Sequence, residues 1–205
     1  MRQNPLAGRV VAILRGRRAE RLDDVIAVLV DAGIRSVEVT LNTPGALDAI
    51  RRAVRRYEPE VAVGAGTVRT VGDLEAAVEA GAGFLVSPHT DPALGARARK
   101  LDVPYLPGAL TPTEIVAAWA AGASAVKLFP ARLGGPRYLR DLREPLHDIP
   151  IVPTGGVSAE NVADWLAAGA VAVGVGGTLI GDALDGGDLA AFAARATELV
   201  KAVPA

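Results

Sequence analysis

Hydrophobic and polar positions along this 205-residue chain change period again and again. Short, largely β-branched runs at Val10–Leu14, Ser36–Leu41, Val61–Gly64, Phe84–Ser87, Tyr105–Pro107, Ala125–Phe129, Ile151–Pro153 and Ala172–Val175 read as strands. After each comes an amphipathic stretch of helical period: Leu22–Ala32, Ala46–Tyr57, Val71–Ala80, Pro92–Leu101, Pro112–Ala121, Pro136–Leu146, Ala159–Ala168 and Asp188–Ala202. Thr111-Pro112-Thr113-Glu114 and Ser158-Ala159-Glu160-Asn161 place a cap residue just ahead of two of these helices. Ala-Gly recurs at Gly33, Gly81, Gly122 and Gly169, where glycine fits a left-handed helix end leading into a strand. Eight strand-then-helix units with no gap long enough for a second domain predict an α/β fold, a (β/α)8 TIM barrel filling residues 1–205 as a single domain. A doubly wound open sheet is the competing arrangement, but no Gly-x-Gly-x-x-Gly follows the first strand.

Strand parity then predicts which side chains enter the barrel, because neighbouring residues on a strand face opposite ways. In Ser36-Val37-Glu38-Val39-Thr40-Leu41 the odd positions are apolar and pack against helices, so Glu38 points inward. In Ala125-Val126-Lys127-Leu128-Phe129 the same logic turns Lys127 inward, and the second and sixth strands face one another across a barrel. The lysine is also unusual for this chain, since Lys100, Lys127 and Lys201 are the only lysines among 22 basic residues. Arginine serves salt bridges and phosphate contacts well, but it does not shed its proton to attack a carbonyl. A lysine in an apolar strand does so more readily, because burial favours the neutral amine. The competing readings are a lysine reaching from a strand end to solvent and a structural pair between Glu38 and Lys127 or Arg15.

Two glycine pairs end late strands: Thr154-Gly155-Gly156 after the seventh and Gly174-Val175-Gly176-Gly177-Thr178 after the eighth. Bare backbone N–H groups at those two positions make the phosphate site usual in barrels, although tight turns also want glycine. Arg15 follows the first strand on the same rim and suits bidentate contact with a carboxylate; a solvated loop arginine in Arg15-Gly16-Arg17-Arg18 is the plain alternative. Gly64-Ala65-Gly66-Thr67 and Ser87-Pro88 end the third and fourth strands there as turns. His89 reads as a surface loop residue and His147 as structural at the opposite end.

Composition narrows the chemistry. Without cysteine there is no disulfide, thiol catalysis or thiolate metal site, and two histidines make a histidine metal site improbable. A net charge of −1 supplies no pull toward nucleic acid or an anionic membrane surface. Trp165–Gly181 is interrupted by glycines, so no membrane span is expected. The amino-terminal segment lacks a signal-peptide apolar region, and a cytoplasmic protein is the expectation.

Taken together, Val37-Glu38-Val39-Thr40-Leu41, Gly64-Ala65-Gly66-Thr67, Ser87-Pro88, Pro107-Gly108, Lys127-Leu128-Phe129-Pro130 and Pro153-Thr154-Gly155-Gly156 resemble the KDPG aldolase family over nearly the whole chain. The resemblance implies a class I aldolase that cleaves 2-keto-3-deoxy-6-phosphogluconate to pyruvate and a three-carbon aldehyde phosphate, as a homotrimer using no metal and no cofactor. It implies that Lys127 forms the Schiff base and Glu38 shuttles protons. Thr67 and Pro88 would line the pyruvyl pocket, and Gly155, Gly156, Gly177 and Thr178 would hold the phosphate. Many relatives carry arginine after the second strand where this chain has Asn42. Leu41-Asn42-Thr43-Pro44, Ile13-Leu14-Arg15-Gly16 and Gly135-Pro136-Arg137-Tyr138-Leu139 look more like enzymes acting on the 6-phosphogalactonate isomer, with Arg15 taking the carboxylate. The phosphate-free 4-hydroxy-2-oxoglutarate is a further candidate substrate. An imine-free phosphate-binding barrel of isomerase or synthase type, and a non-catalytic phosphosugar-binding barrel, are the readings outside this chemistry.

Overall fold

A computed structural model of the chain describes residues 4–204. Met1–Gln3, which open the segment scanned for a signal sequence, and Ala205 lie outside the described residues. The strands are β1 (Val10–Leu14), β2 (Ser36–Thr40), β3 (Ala62–Gly66), β4 (Leu85–Val86), β5 (Tyr105–Leu106), β6 (Gly108–Ala109), β7 (Val126–Leu128), β8 (Ile151–Pro153) and β9 (Val173–Val175). Every pairing is parallel, in the orders β5-β4-β3-β2-β1-β9 and β6-β7-β8. β5 and β6 are one stave split by Pro107, whose ring nitrogen has no proton to give the ladder. Its carbonyl still accepts the Lys127 N–H at 2.9 Å. The second seam, between β8 and β9, closes through a Thr154–Gly174 bridge and a 3.1 Å bond from Val171 N–H to the Ile151 carbonyl. The result is the expected eight-staved (β/α)8 barrel.

The helices are α1 (Leu22–Asp31), α2 (Ala46–Tyr57), α3 (Val71–Glu79), α4 (Pro92–Lys100), α5 (Pro112–Ala120), α6 (Gly135–Arg143), α7 (Val162–Ala167), α8 (Gly177–Ile180) and α9 (Leu189–Ala202). Thr111 and Glu114 form a reciprocal capping box at α5. The Ala-Gly repeat does what its sequence predicts: Gly33, Gly81, Gly122 and Gly169 adopt φ of +97°, +94°, +92° and +99°. Several boundaries differ from expectation: strands β4, β7 and β9 are shorter at their ends, and α6 stops at Arg143 rather than Leu146. α7 begins three residues late, because the Asn161 side chain accepts the Ser158 N–H and donates to the Gly156 carbonyl, holding a turn there. The short α8 follows β9 as an element the hydrophobic pattern did not announce. β3 runs to Gly66, two residues beyond its predicted end.

Two apolar regions hold the barrel. Outward-facing Val10, Ala12, Leu14, Val37 and Val39 join the helix faces in one continuous layer. Inside lie Val11, Ala62, Phe84, Val86, Leu106, Ala125, Val152 and Ala172, with Leu6 packed against them. Each large side chain buried this way contributes about 1.5–3 kcal/mol. Gly64 explains how a chain with so few aromatic residues places one ring in the interior: a Cβ there would stand 2.5 Å from the Phe84 ring. The inward side of β3 is therefore kept small, and the same economy recurs one step higher, at the site.

Candidate active site

Lys127 sits mid-strand on β7 between Val126 and Leu128, both fully buried against helices, so its side chain has only the barrel interior to enter. It is 6% exposed. Glu38 enters from β2 and is 1% exposed. The two meet as parity predicts, with Lys127 Nζ 3.9 Å from Glu38 Oε1. That distance brings opposite charges together without a hydrogen bond between them. Glu38 Oε1 is buried and no group among the described residues hydrogen-bonds it. A buried carboxylate oxygen left open in this way is costly unless it has work to do. Gly66 makes the room: a Cβ on it would stand 2.5 Å from Glu38 Cδ and 2.6 Å from Cγ, and closer still to Oε1. On the other side of the lysine, Nζ lies 5.4 Å from the centre of the Phe129 ring, near enough for a cation–π contact when the amine is charged.

Above Lys127 opens a cavity of about 400 Å³ lined by the side chains or backbone of Arg15, Lys127, Phe129, Thr154, Gly155 and Gly156 together with Gly177 and Thr178. The rim is built by ties between neighbouring turns. Thr40 Oγ1 donates to the Leu14 carbonyl at 3.1 Å, lies 3.1 Å from Thr43 Oγ1, and Thr43 Oγ1 accepts the Gly16 N–H at 3.2 Å. This buried hydroxyl pair fixes the turn that carries Arg15. Arg15 Nη2 in turn donates to Thr67 Oγ1 at 3.3 Å. Thr67 holds φ of +58°, a left-handed conformation that a β-branched residue adopts only under constraint. Strain of this kind at a rim is a functional pointer that no sequence pattern carried.

The phosphate-type turns have the backbone their glycines suggest. Gly155 and Gly156 take φ of +93° and +88°. A Cβ on Gly177 would meet nothing within 4 Å, so packing does not demand that glycine, whereas close approach of a ligand would. Thr178 Oγ1 donates to the Val157 carbonyl and so ties α8 to the turn after β8. Pro88 is placed elsewhere: it closes β4 and its carbonyl abuts Gly108, and it is not among the residues lining this cavity. Beside it, Ser87 Oγ donates to the His89 carbonyl and lies 2.7 Å from Tyr105 Oη, whose pKa burial pushes up to about 12, so that phenol stays neutral. His89 and His147 are both exposed and line no part of the cavity. The hydroxyls of Thr40 and Thr43 are site-building residues that the sequence reading did not single out; the alternation polar-in along β2 was the signal available for Thr40.

The chain matches the family described as Aldolase: KDPG and KHG aldolase, over residues 3–194. It is 37% identical over 186 residues to a protein of Rhizobium meliloti (strain 1021) named probable 2-dehydro-3-deoxy-6-phosphogalactonate aldolase, covering 90% of this chain and 88% of that one. It is 38% identical over 197 residues to the KHG/KDPG aldolase of Escherichia coli (strain K12), covering 95% and 92% of the two chains. Among solved structures, one described as native KDPGal superposes with a TM-score of 0.89 at 34% identity, covering 94% of this chain and 93% of its own.

Proposed function

The chain belongs to the KDPG and KHG aldolase family, and from that premise we propose that it is a metal-independent class I aldolase cleaving 2-keto-3-deoxy-6-phosphogluconate to pyruvate and glyceraldehyde 3-phosphate. The observation that carries this reading is the buried pair of Lys127 and Glu38, 3.9 Å apart under an open cavity. The neutral Lys127 amine attacks the C2 ketone to give a carbinolamine. Glu38 takes the proton released and returns one to the departing hydroxyl, leaving a protonated imine and water. The C3–C4 bond then breaks as the C4 hydroxyl loses its proton; the electron pair passes to the imine, and the aldehyde phosphate leaves. Protonation of the resulting enamine at C3, followed by water attack on the imine, frees pyruvate and the amine. A protonated imine is an electron sink, so these steps require no metal and no cofactor. Glu38 suits the proton work because its Oε1 is desolvated, next to Nζ, and committed to no other group among the described residues.

In this reading Arg15 clamps the keto-acid carboxylate, with Thr67 Oγ1 accepting a hydrogen bond from its guanidinium; neither Thr67 nor Pro88, expected at the pyruvyl end, is among the residues lining the cavity. Gly155, Gly156, Gly177 and Thr178 present the other end of the cavity to the phosphate. The partner is thus a small phosphorylated keto acid. A single barrel domain over residues 1–205, a homotrimer and a cytoplasmic setting complete the proposal; no helix among the described residues is long and apolar enough to cross a membrane. A second reading, the 6-phosphogalactonate isomer, is favoured by one feature: Asn42 stands where many gluconate-type enzymes have arginine, and Arg15 is held at the rim instead. The two substrates differ at the carbon that becomes the aldehyde, so both give the same products and only their relative kcat/KM separates them.

The deciding test is borohydride reduction in the presence of pyruvate, read by intact mass and peptide mapping. A reduced pyruvyl adduct on Lys127, lost in Lys127→Met, is the expected result. A folded protein that forms no adduct would overturn the aldolase mechanism.

A further inference from the structure

The cavity holds one cation that the imine chemistry leaves without a task. Its lining includes Arg15, Lys127 and Arg132 and no carboxylate, in a chain whose net charge is −1. Lys127 serves the carbonyl and Arg15 the carboxylate. Arg132 lies in the tight turn Ala131–Leu133 just after β7, and its root is pinned to the turn after β8. There the Ala131 N–H donates to the Thr154 carbonyl at 2.9 Å and the Arg132 N–H to the Gly155 carbonyl at 3.0 Å.

From that anchor the side chain crosses the double-glycine turn. A Cβ on Gly156 would stand 2.7 Å from Arg132 Cβ, and one on Gly155 would stand 3.7 Å from Arg132 Nη1. The glycines therefore leave a shelf on which the arginine stem lies. Other arginines in the fold spend their guanidinium on carbonyls: Arg143 on those of Leu146, His147 and Ile149, Arg195 on those of Leu179 and Ile180. Among the described residues the Arg132 guanidinium forms no ion pair and no hydrogen bond. The two rim arginines also lean apart. Arg15 reaches toward Thr67 after β3, while Arg132 reaches toward Gly155 after β8.

We infer that Arg132 is a specificity-determining residue, whose guanidinium holds the terminal phosphate of the substrate and selects phosphorylated keto acids over phosphate-free ones. The inference rests on the aldolase reading above and deepens it. Paired N–H donors match two phosphate oxygens, and a planar guanidinium loses less on ordering than a lysine would. Because the side chain is exposed, the selection weakens as salt screens it.

The test compares 2-keto-3-deoxy-6-phosphogluconate with its phosphate-free counterpart, 2-keto-3-deoxygluconate, on wild type, Arg132→Ala and Arg132→Lys, with inorganic phosphate as a competing probe. In Arg132→Ala, the ratio of kcat/KM for the phosphorylated over the phosphate-free substrate falls roughly 10- to 100-fold, and inhibition by inorganic phosphate weakens in parallel. Arg132→Lys recovers part of the ratio. A melting temperature matching wild type shows that Arg132→Ala is folded. An unchanged ratio, or equal losses on both substrates, overturns the inference. Pyruvate trapping on wild-type Lys127 separates the two levels: no adduct there sinks the aldolase reading itself, whereas an adduct with an unmoved ratio sinks only the role of Arg132.

Discussion

Gly66→Ala is the substitution that most directly probes the design of the site, because it adds one methyl group and touches neither the lysine nor the carboxylate chemically. The new Cβ would lie 2.5 Å from Glu38 Cδ and 2.6 Å from Cγ. Carbon atoms settle about 3.5–4.0 Å apart, so the overlap is roughly 1 Å. Glu38 is 1% exposed and enters the interior from the middle of a paired strand, so it has no route to solvent and must shift within the barrel. Overpacking of that kind costs about 1–3 kcal/mol of stability. The larger effect falls on rate. A carboxylate already 3.9 Å from Nζ that moves by a further ångström leaves proton-transfer range of anything on the lysine. The expected loss in kcat is ~100- to 10,000-fold, the range for removing a general acid–base group.

Two comparisons isolate the cause. Glu38→Gln keeps the shape, removes the proton acceptor, and should match the loss in kcat without the overpacking. Gly64→Ala, one inward position lower on β3, strikes the Phe84 ring at 2.5 Å instead; it should lower the melting temperature more than it lowers turnover. Pyruvate release measured continuously, with thermal melts of all three variants, supplies the data. Gly66→Ala that melts like wild type and keeps kcat within about threefold would refute the claim that this glycine exists to seat Glu38.

Four further outcomes follow, two at the site and two at the α5 cap. Arg15→Ala should raise KM for the keto acid about 10-fold or more with a smaller change in kcat, and unchanged affinity for pyruvate would dismiss its carboxylate role. Lys127→Arg keeps the charge but should form no borohydride-trapped adduct, since a guanidinium stays protonated; an adduct at that position would contradict the imine assignment. At α5 the Glu114 carboxylate accepts from the Thr111 and Leu110 N–H groups, which hold its pKa below the ordinary 4.5. A depressed carboxylate stabilises the fold above its unfolded value and loses that contribution as pH falls through its folded value. The stability advantage of wild type over Glu114→Gln should therefore be present at neutral pH and shrink as pH falls below the ordinary carboxylate value, read by chemical denaturation at a series of pH values; a difference that stays constant with pH would count against the box. Thr111→Ala should cost about 1 kcal/mol at neutral pH by chemical denaturation.

The alternation of strands and helices, the helix ends at the Ala-Gly steps and the inward direction of Glu38 and Lys127 were all determined locally. Period, capping and φ preference act within a few residues, so sequence alone carries them. Parity went furthest of all: it placed two side chains 89 positions apart in one interior, because a strand has only two faces and one was already apolar. What sequence did not contain were relations between turns that meet only when the sheet closes. The Thr40–Thr43 hydroxyls bracing the Arg15 turn, the Arg15 contact on the left-handed Thr67 and the Arg132 stem over Gly156 each join segments from different units. Gly66 shows the boundary between the two. As a residue it looked like turn chemistry after a strand that ended at Gly64. Only the closed barrel, by bringing the Glu38 carboxylate to the space a Cβ would fill, turned the absence of a side chain into a feature of the site.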